Sequence, residues 1–393
     1  MNLFDNYLTS KTSPLDLFQL LELIGIGSTC KVYKAISKKT NKIYSIKICN
    51  EIEKNYEPII NEINCFRLFK NENSYIVKFY GIYYLKNDNT IWIILEYFEY
   101  GNIISYLNKI NYKPDEELLA TIIQNVLFGL LYLHSKNIIH RDIKSQNLLL
   151  SSEGRIKISD FGISINKNNI NPNNIVGSPY WMSPEVIIRD NYNEKTDIYS
   201  LGITIYELVE GFPPYSEFKP TIAMKKIIQN PIKSLKNENK YSNELNDFVK
   251  LCLNVDFNER PNVSQLLEHK FIKKSGSVKL LKNFIEENNC YFFNQKNSFS
   301  ENNKNCENEY MELNSYCNNN IENNNNNEEE EINDSVIIHD DDNTVIVKEN
   351  NSKKQILNYK EILKYDSNYS NLEFVEHEST SNLSYNTDFL NPH

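Results

Sequence analysis

The stretch IIHRDIKSQNLLL, residues 138–150, sets His140, Arg141, Asp142, Lys144 and Asn147 between two apolar runs. Burying such groups without partners costs about 2–7 kcal/mol each. The cluster is therefore either a solvated loop or a site whose groups are paired by what they bind. Upstream, GIGSTCKVYKA carries Gly25 and Gly27, with Val32 five residues after the second. Glycines let a turn of backbone lie close over phosphate groups because no Cβ intrudes. A GxG alone suits any tight turn, and Cys30 stands where a third glycine would complete GxGxxG. Order and distance supply what the turn lacks. Lys47, in the strand-like YSIK, follows Gly27 by twenty residues, and Glu62 comes next on a helical stretch. A lysine fixed by a glutamate is suited to neutralising phosphate charge. Asp160, in KISDFG, follows Asp142 by eighteen residues.

Two different textures must position these groups. From about Leu15 to Leu95 the strand-like runs LFQLLELIGIG, CKVYKAI, IYSIKIC, IVKFYGIYYL and IWIILEYF alternate with polar turns. Between the third and fourth runs, PIINEINCFRLF repeats Ile59, Ile63, Phe66 and Leu68 or Phe69 at helical spacing. Beyond EYGN the chain turns helical, with apolar residues at 119, 122, 123, 126, 127, 130 and 133, and further helices in TDIYSLGITIYELVEG, NELNDFVKLCLN and NVSQLLEHKFI.

Charge divides the chain again. Residues 1–280 carry 34 Lys+Arg against 30 Asp+Glu, and residues 281–393 carry 8 against 22. A near-neutral folded unit followed by a solvated acidic tail is expected, and no basic face suited to nucleic acid stands out. Asparagine-rich sequence such as NNNNNEEEE buries too little to offset ordering entropy. Two apolar islands, SVIIHDDDNTVIVK and QILNYKEILKY, interrupt it as chance clusters or partner-docking motifs. The seven cysteines lack CxxC or metal-ligand spacing and read as reduced thiols. No secretory signal is visible at the start, and no apolar run approaches the ~18 residues of a membrane span. An intracellular, cytoplasmic protein is expected.

Gly25 and Gly27, Lys47, Glu62, HRDIKSQN and DFG, in this order, resemble the eukaryotic protein kinases. The resemblance covers about Phe18 to Phe271 and continues through GSPYWMSPEV, DIYSLG and ERP. It implies an α+β, bilobal fold: a kinase domain over 17–272, with an N-lobe at 17–98 and a C-lobe at 99–272. An extension at 1–16 precedes it, a helical extension at 273–287 follows, and a disordered tail fills 288–393. It also implies ATP and Mg2+ as cofactors and protein substrates as partners. ATP would be held by Ile24, Gly25, Gly27, Val32, Lys47, Glu96 and Phe98. Asp142 would take or orient the substrate hydroxyl proton, Lys144 would steady the moving phosphoryl group, and Asn147 with Asp160 would hold magnesium. His140 would pack near Phe161, Glu185 would pair with Arg260, and Ser178 would sit near Asp142 and Lys144.

Lys144 and GSPYWMSPE resemble the serine/threonine class, and Ile163 after DFG goes with threonine as the preferred acceptor. WIILEYFEYGN, GFPPYSEFKP and LLEHKFIKKSGSVKLLKNFIEE resemble the germinal-centre kinases of the sterile-twenty-like group, nearest the Hippo-type branch, though mitogen-activated protein kinase kinases share several of these phrases. Two departures stand out. The activating phosphothreonine of that group falls on Asn174, which leaves Arg141 without its usual partner unless Ser178 or Ser164 substitutes, and no coiled-coil dimerisation heptad is evident in the tail. An active kinase, a pseudokinase scaffold and an adaptor acting through its acidic tail, where regulatory partners would dock, remain separate readings, the first favoured because no phosphate- or metal-handling residue is missing.

Overall fold

The computed structural model describes residues 13–27, 30–49, 57–69, 71, 73–85, 90–171 and 174–299, with side chains through 293 except at 278, and the backbone of 335–339, 344–348 and 354–356. Five strands, β1 (Phe18–Ile26), β2 (Cys30–Ser37), β3 (Ile43–Cys49), β4 (Phe79–Leu85) and β5 (Thr90–Glu96), form one antiparallel sheet in the order β1-β2-β3-β5-β4. Strand alternation gives the sheet two faces. Ala35, Ile46, Tyr83, Trp92 and Ile94 pack on one of them under Phe18 and Tyr44. Register lines Gly25, Val32, Lys47 and Ile93 across four neighbouring strands, so the glycine turn and the lysine share the opposite face.

The helix Glu57–Phe69 covers that face and buries Ile59, Ile63, Phe66 and Phe69. The periodicity left Leu68 and Phe69 open. Phe69 is the core residue, whereas Leu68 is exposed.

The C-lobe is built around the helix Glu116–Ser135, whose Asp115 N-cap accepts from Leu118 N at 2.8 Å. Leu119, Ile122, Ile123, Val126, Leu127, Leu130 and Leu133 are all buried, as their spacing requires. This helix corrects the expectation that no apolar run nears the length of a membrane span. It is long and apolar enough by length and composition, but two-thirds of its 18-residue window is buried inside the lobe. The helix Lys195–Glu210 runs through the same core and stops at Gly211, whose φ of 98° supplies a left-handed cap. Between these helices lie two short hairpin strands, Leu148–Leu150 and Ile156–Ile158, which carry Asn147 and lead to Asp160.

The C-terminal extension differs from the expected boundary at 287. The helix begins at Val278 and continues to Phe299 because Phe292 and Phe293 find aromatic partners on the C-lobe and bury apolar surface that sequence alone left unassigned. Further along, Ser335–His339, Thr344–Lys348 and Lys354–Ile356 pair antiparallel with one another. The rest of the expected tail lies outside the described residues.

The reduced-thiol reading is corrected at one pair. Cys30 and Cys49 stand directly opposite each other on β2 and β3 and are joined by a disulfide. Cys65, Cys252 and Cys290 are free, the first two buried.

Candidate active site

Lys47, on the sheet face that holds Val32 and Gly25, reaches the helix Glu57–Phe69. Its Nζ lies 2.7 Å from Glu62 Oε2 and 3.6 Å from Asp160 Oδ1. Burial works against the lysine's charge, but Glu62 and Asp160 outweigh it and push the ammonium above its ordinary value. Partial burial raises the Asp160 carboxyl, and the charge of Lys47, followed by His140 and Lys144, outweighs that and holds it below the usual carboxylate range. Asp160 has a φ of 65° and a side chain that is half exposed, so its carboxylate faces open space while its backbone is strained.

Phe161 is pulled the other way. It is fully buried against Phe66, Phe69 and His140, with ring centroids 5.0–5.5 Å apart. Asn61, which the sequence reading passed over, donates its Nδ2 to the carbonyls of Phe161 and Gly162 at 3.1 Å each and also to that of Ser164. One helix thus fixes both the lysine's partner and the segment bearing Asp160.

The charged and amide groups from 140 to 147 are paired, whereas the buried Ser145 hydroxyl finds no partner. Asn147 Nδ2 donates to Asp142 O and Oδ2 at 2.8 and 2.9 Å, and Lys144 Nζ lies 2.9 Å from Asp142 Oδ2. Ser178 N donates to Asp142 Oδ1 at 3.1 Å, and Ser178 Oγ accepts from Lys144. The approach of the 174–183 segment depends on Gly177. A Cβ there would sit 2.7 Å from Arg141 O, and its φ is 133°. His140 is fully buried; Nδ1 accepts from Asp142 N and Nε2 donates to Ser159 O at 3.0 Å, so the ring braces the loop and packs edge-on against Phe161.

Beneath the loop sits Asp197, quoted in the sequence only as part of DIYSLG. Its Oδ2 accepts from His140 N and His134 Nε2, and its Oδ1 accepts from Arg141 N at 2.9 Å. Burial raises this carboxyl, but the hydrogen bond and charge of His134, with His140, hold it below the usual range. These bonds pin Arg141 at a φ of 66°. Glu207 likewise accepts from Ser145 N, Gln146 Nε2 and Trp181 Nε1.

The remaining candidates fall into place around this centre. Glu185 and Arg260 form a buried bidentate pair at 2.7 and 2.9 Å. Gly27 N donates to Cys30 O at 2.8 Å, closing the visible base of the glycine turn, and Ile24 lies exposed near it on β1. Glu96 differs from expectation in one respect. Its carboxylate turns inward to the buried Lys157, at 2.7 and 2.8 Å, and to Lys78 N, so its side chain is spent on the protein. Phe98, buried, follows it in the connection between lobes. Arg141 Nε donates to Ile163 O at 2.6 Å and NH1 to Tyr192 Oη at 3.2 Å, whereas Asn174 is exposed. Ser164 is buried with Oγ bonded to His140 O, which removes it as a stand-in phosphate site.

Residues 18–272 match the protein kinase domain. The chain belongs to the protein kinase family. The chain is also similar to the serine/threonine-protein kinase pakH of Dictyostelium discoideum, with 42% identity over 260 residues, covering 66% of this chain and 50% of that one. It thus spans about half the length of this curated relative. Such a domain implies ATP and a divalent cation, and the donor set fits a hard cation. Asp160 offers a half-exposed carboxylate, and Asn147, with Nδ2 committed to Asp142, keeps Oδ1 as its acceptor.

Proposed function

We propose that the kinase transfers the γ-phosphoryl group of ATP, with Mg2+, to serine or threonine hydroxyls of proteins. The observation that carries this reading is the convergence on Asp142. Asp142 is flanked by Lys144, Asn147 and Ser178, and Lys144 acts together with Lys47 on Asp160; on this reading the two groups would form facing walls of a nucleotide cleft. Phosphoryl transfer asks mainly for positioning and charge stabilisation. The substrate oxygen bonds to the γ-phosphorus, the bond to the bridging oxygen breaks, and ADP keeps those electrons. Asp142 orients the hydroxyl and takes its proton, while Lys47 and Lys144 offset phosphate charge. Asn147 and Asp160 would hold Mg2+, which would supply charge neutralisation at the phosphates. Gly25, Gly27, Val32 and Ile24 would cover the nucleotide, with Glu96 and Phe98 bordering its base.

On the same reading the enzyme is a member of the germinal-centre group of sterile-twenty-like kinases, and Ile163 favours threonine acceptors. The Arg141 contacts to Ile163 O and Tyr192 Oη support a loop held without phosphate on Asn174. The purified protein and an Asp142→Asn variant, incubated with labelled ATP, Mg2+ and a generic basic protein, test the assignment. Label should pass only from the parent, and equal labelling by both would sink the catalytic role. Phosphatase pretreatment should leave the parent's rate within about twofold, since hydrogen bonds of about 1 kcal/mol already hold Arg141. A large loss would show that a phosphorylated residue is needed.

A further inference from the structure

The helix Val278–Phe299 lies beyond the 18–272 match, yet its contacts fall on segments that border the cleft. Its first half touches the turn between the strands Leu148–Leu150 and Ile156–Ile158. A Cβ on Gly154 would sit 2.6 Å from Lys282 N, so with a φ of 78° this glycine lets the helix backbone come close. Its second half touches the connection between lobes. Phe292 lies 5.5 Å from Tyr100 and 5.1 Å from Tyr106, Phe293 lies 6.2 Å from Tyr100, and Asn289 Oδ1 accepts from Tyr100 Oη at 3.4 Å. Leu281, Ile285 and Phe292 are buried by this docking.

Tyr100 is not a remote anchor. Gly101 N, one residue on, donates to Phe98 O, and Gly101 O accepts from Leu150 N at 2.9 Å. Asn102 bridges to Leu149, in the strand that begins directly after Asn147. The helix therefore touches Tyr100, two residues from Phe98, and the Gly154 turn that closes the strand pair beginning directly after Asn147.

We infer that this helix is a working part of the catalytic unit, in which Phe292, acting through Tyr100, is a positioning residue for the bound nucleotide. The inference goes beyond the proposed reaction, because nothing in phosphoryl transfer requires a segment outside the family domain. Linkage makes the coupling reciprocal. If helix docking favours nucleotide binding, nucleotide favours helix docking by the same factor.

Two measurements on the full chain test this. In Phe292→Ala the KM for ATP should rise about fivefold, in line with the loss of an aromatic pair, while kcat with saturating nucleotide stays within about twofold. Phe292→Leu, which keeps the apolar bulk, should recover most of the affinity. Hydrogen exchange on the unmodified protein needs no variant. Adding Mg2+ and a non-hydrolysable ATP analogue should slow the amides of 279–293 about threefold together with those of 98–102. A folded Phe292→Ala protein with unchanged KM would overturn the inference, as would helix amides whose exchange ignores the nucleotide. Should Phe292→Ala fail to fold, the exchange result alone decides.

Discussion

Ion pairs of the same length do different work in the cleft and in the C-lobe. Lys47–Glu62 in the cleft and Arg260–Glu185 in the lobe are both 2.7 Å. Arg260 and Glu185 are 0% and 4% exposed, and the guanidinium spends its other donors on Asn254 O and Lys195 O while lying over Tyr199. Both charges there are satisfied by protein, although the buried Tyr199 hydroxyl has no partner. In the cleft, Lys47 stays 19% exposed and shares its charge with a half-exposed Asp160. Charge is held there in surplus of what the protein consumes. The difference teaches where to look for chemistry: the pair length is uninformative, and the capacity left over after internal pairing separates a site from an anchor.

The largest effect should come from breaking the anchor. Arg260→Leu leaves Glu185 buried without a partner and should cost about 3–5 kcal/mol. Glu185→Leu combined with Arg260→Leu should recover much of it, since the double change removes the stranded charge. Denaturant unfolding of the three proteins measures this. A double variant no more stable than the single one would mean that the pair does more than neutralise itself. Breaking the cleft pair should register on another axis. Lys47→Met should lower kcat about 10²–10³-fold, the scale for losing one preorganised charge at a reacting group, with a smaller change in unfolding midpoint than Arg260→Leu because burial raises the Glu62 carboxyl and lets it take up a proton once Lys47 is gone. Steady-state kinetics and a melt on the same preparation separate the two, and equal midpoint losses would erase the contrast.

The same contrast explains what the sequence could disclose. Lys47, Asp142, Asn147 and Asp160 stood out because their order resembles the protein kinase pattern, which also implied the two-lobed layout, whereas the sheet and the core helices followed from apolar periodicity. Asp197, Glu207 and Asn61 were not assigned a role. Their partners lie 56, 62 and 100 residues away, and a short polar side chain on an amphipathic helix reads as a solvated face until the helix is seated. The Cys30–Cys49 link was hidden for a related reason, since only the β2–β3 register brings those positions opposite each other. The inward turn of Glu96 depends on Lys157, whose strand reads from sequence only as a short apolar step before DFG.

Asp197 offers a smaller effect, read against pH. Its carboxyl is held below the ordinary value in the folded protein despite burial, by His134 and His140. A lowered folded value means that the folded state favours the ionised form. Its contribution is complete above the unfolded carboxyl's value near about pH 4 and is lost as pH falls through the lower folded value. Stability measured from about pH 6 down to about pH 3 should therefore fall more steeply for the parent than for Asp197→Asn, and the gap between them should narrow with acid. A constant gap would assign the stabilisation to hydrogen bonds that do not depend on charge.

The smallest effect should come from a pair as short as either of the first two. Lys250 and Glu238 also stand 2.7 Å apart, but their side chains are 48% and 42% exposed. Water solvates both ions in the folded and unfolded states, and holding two long side chains in one geometry costs entropy that offsets the attraction. Lys250→Met should leave kinetics unchanged and the melting midpoint within error, and added salt should change nothing that distinguishes it from the parent. If Lys250→Met instead destabilised the protein as Arg260→Leu does, length alone would set the strength of these pairs, and the separation of anchor from site by leftover capacity would have to be abandoned.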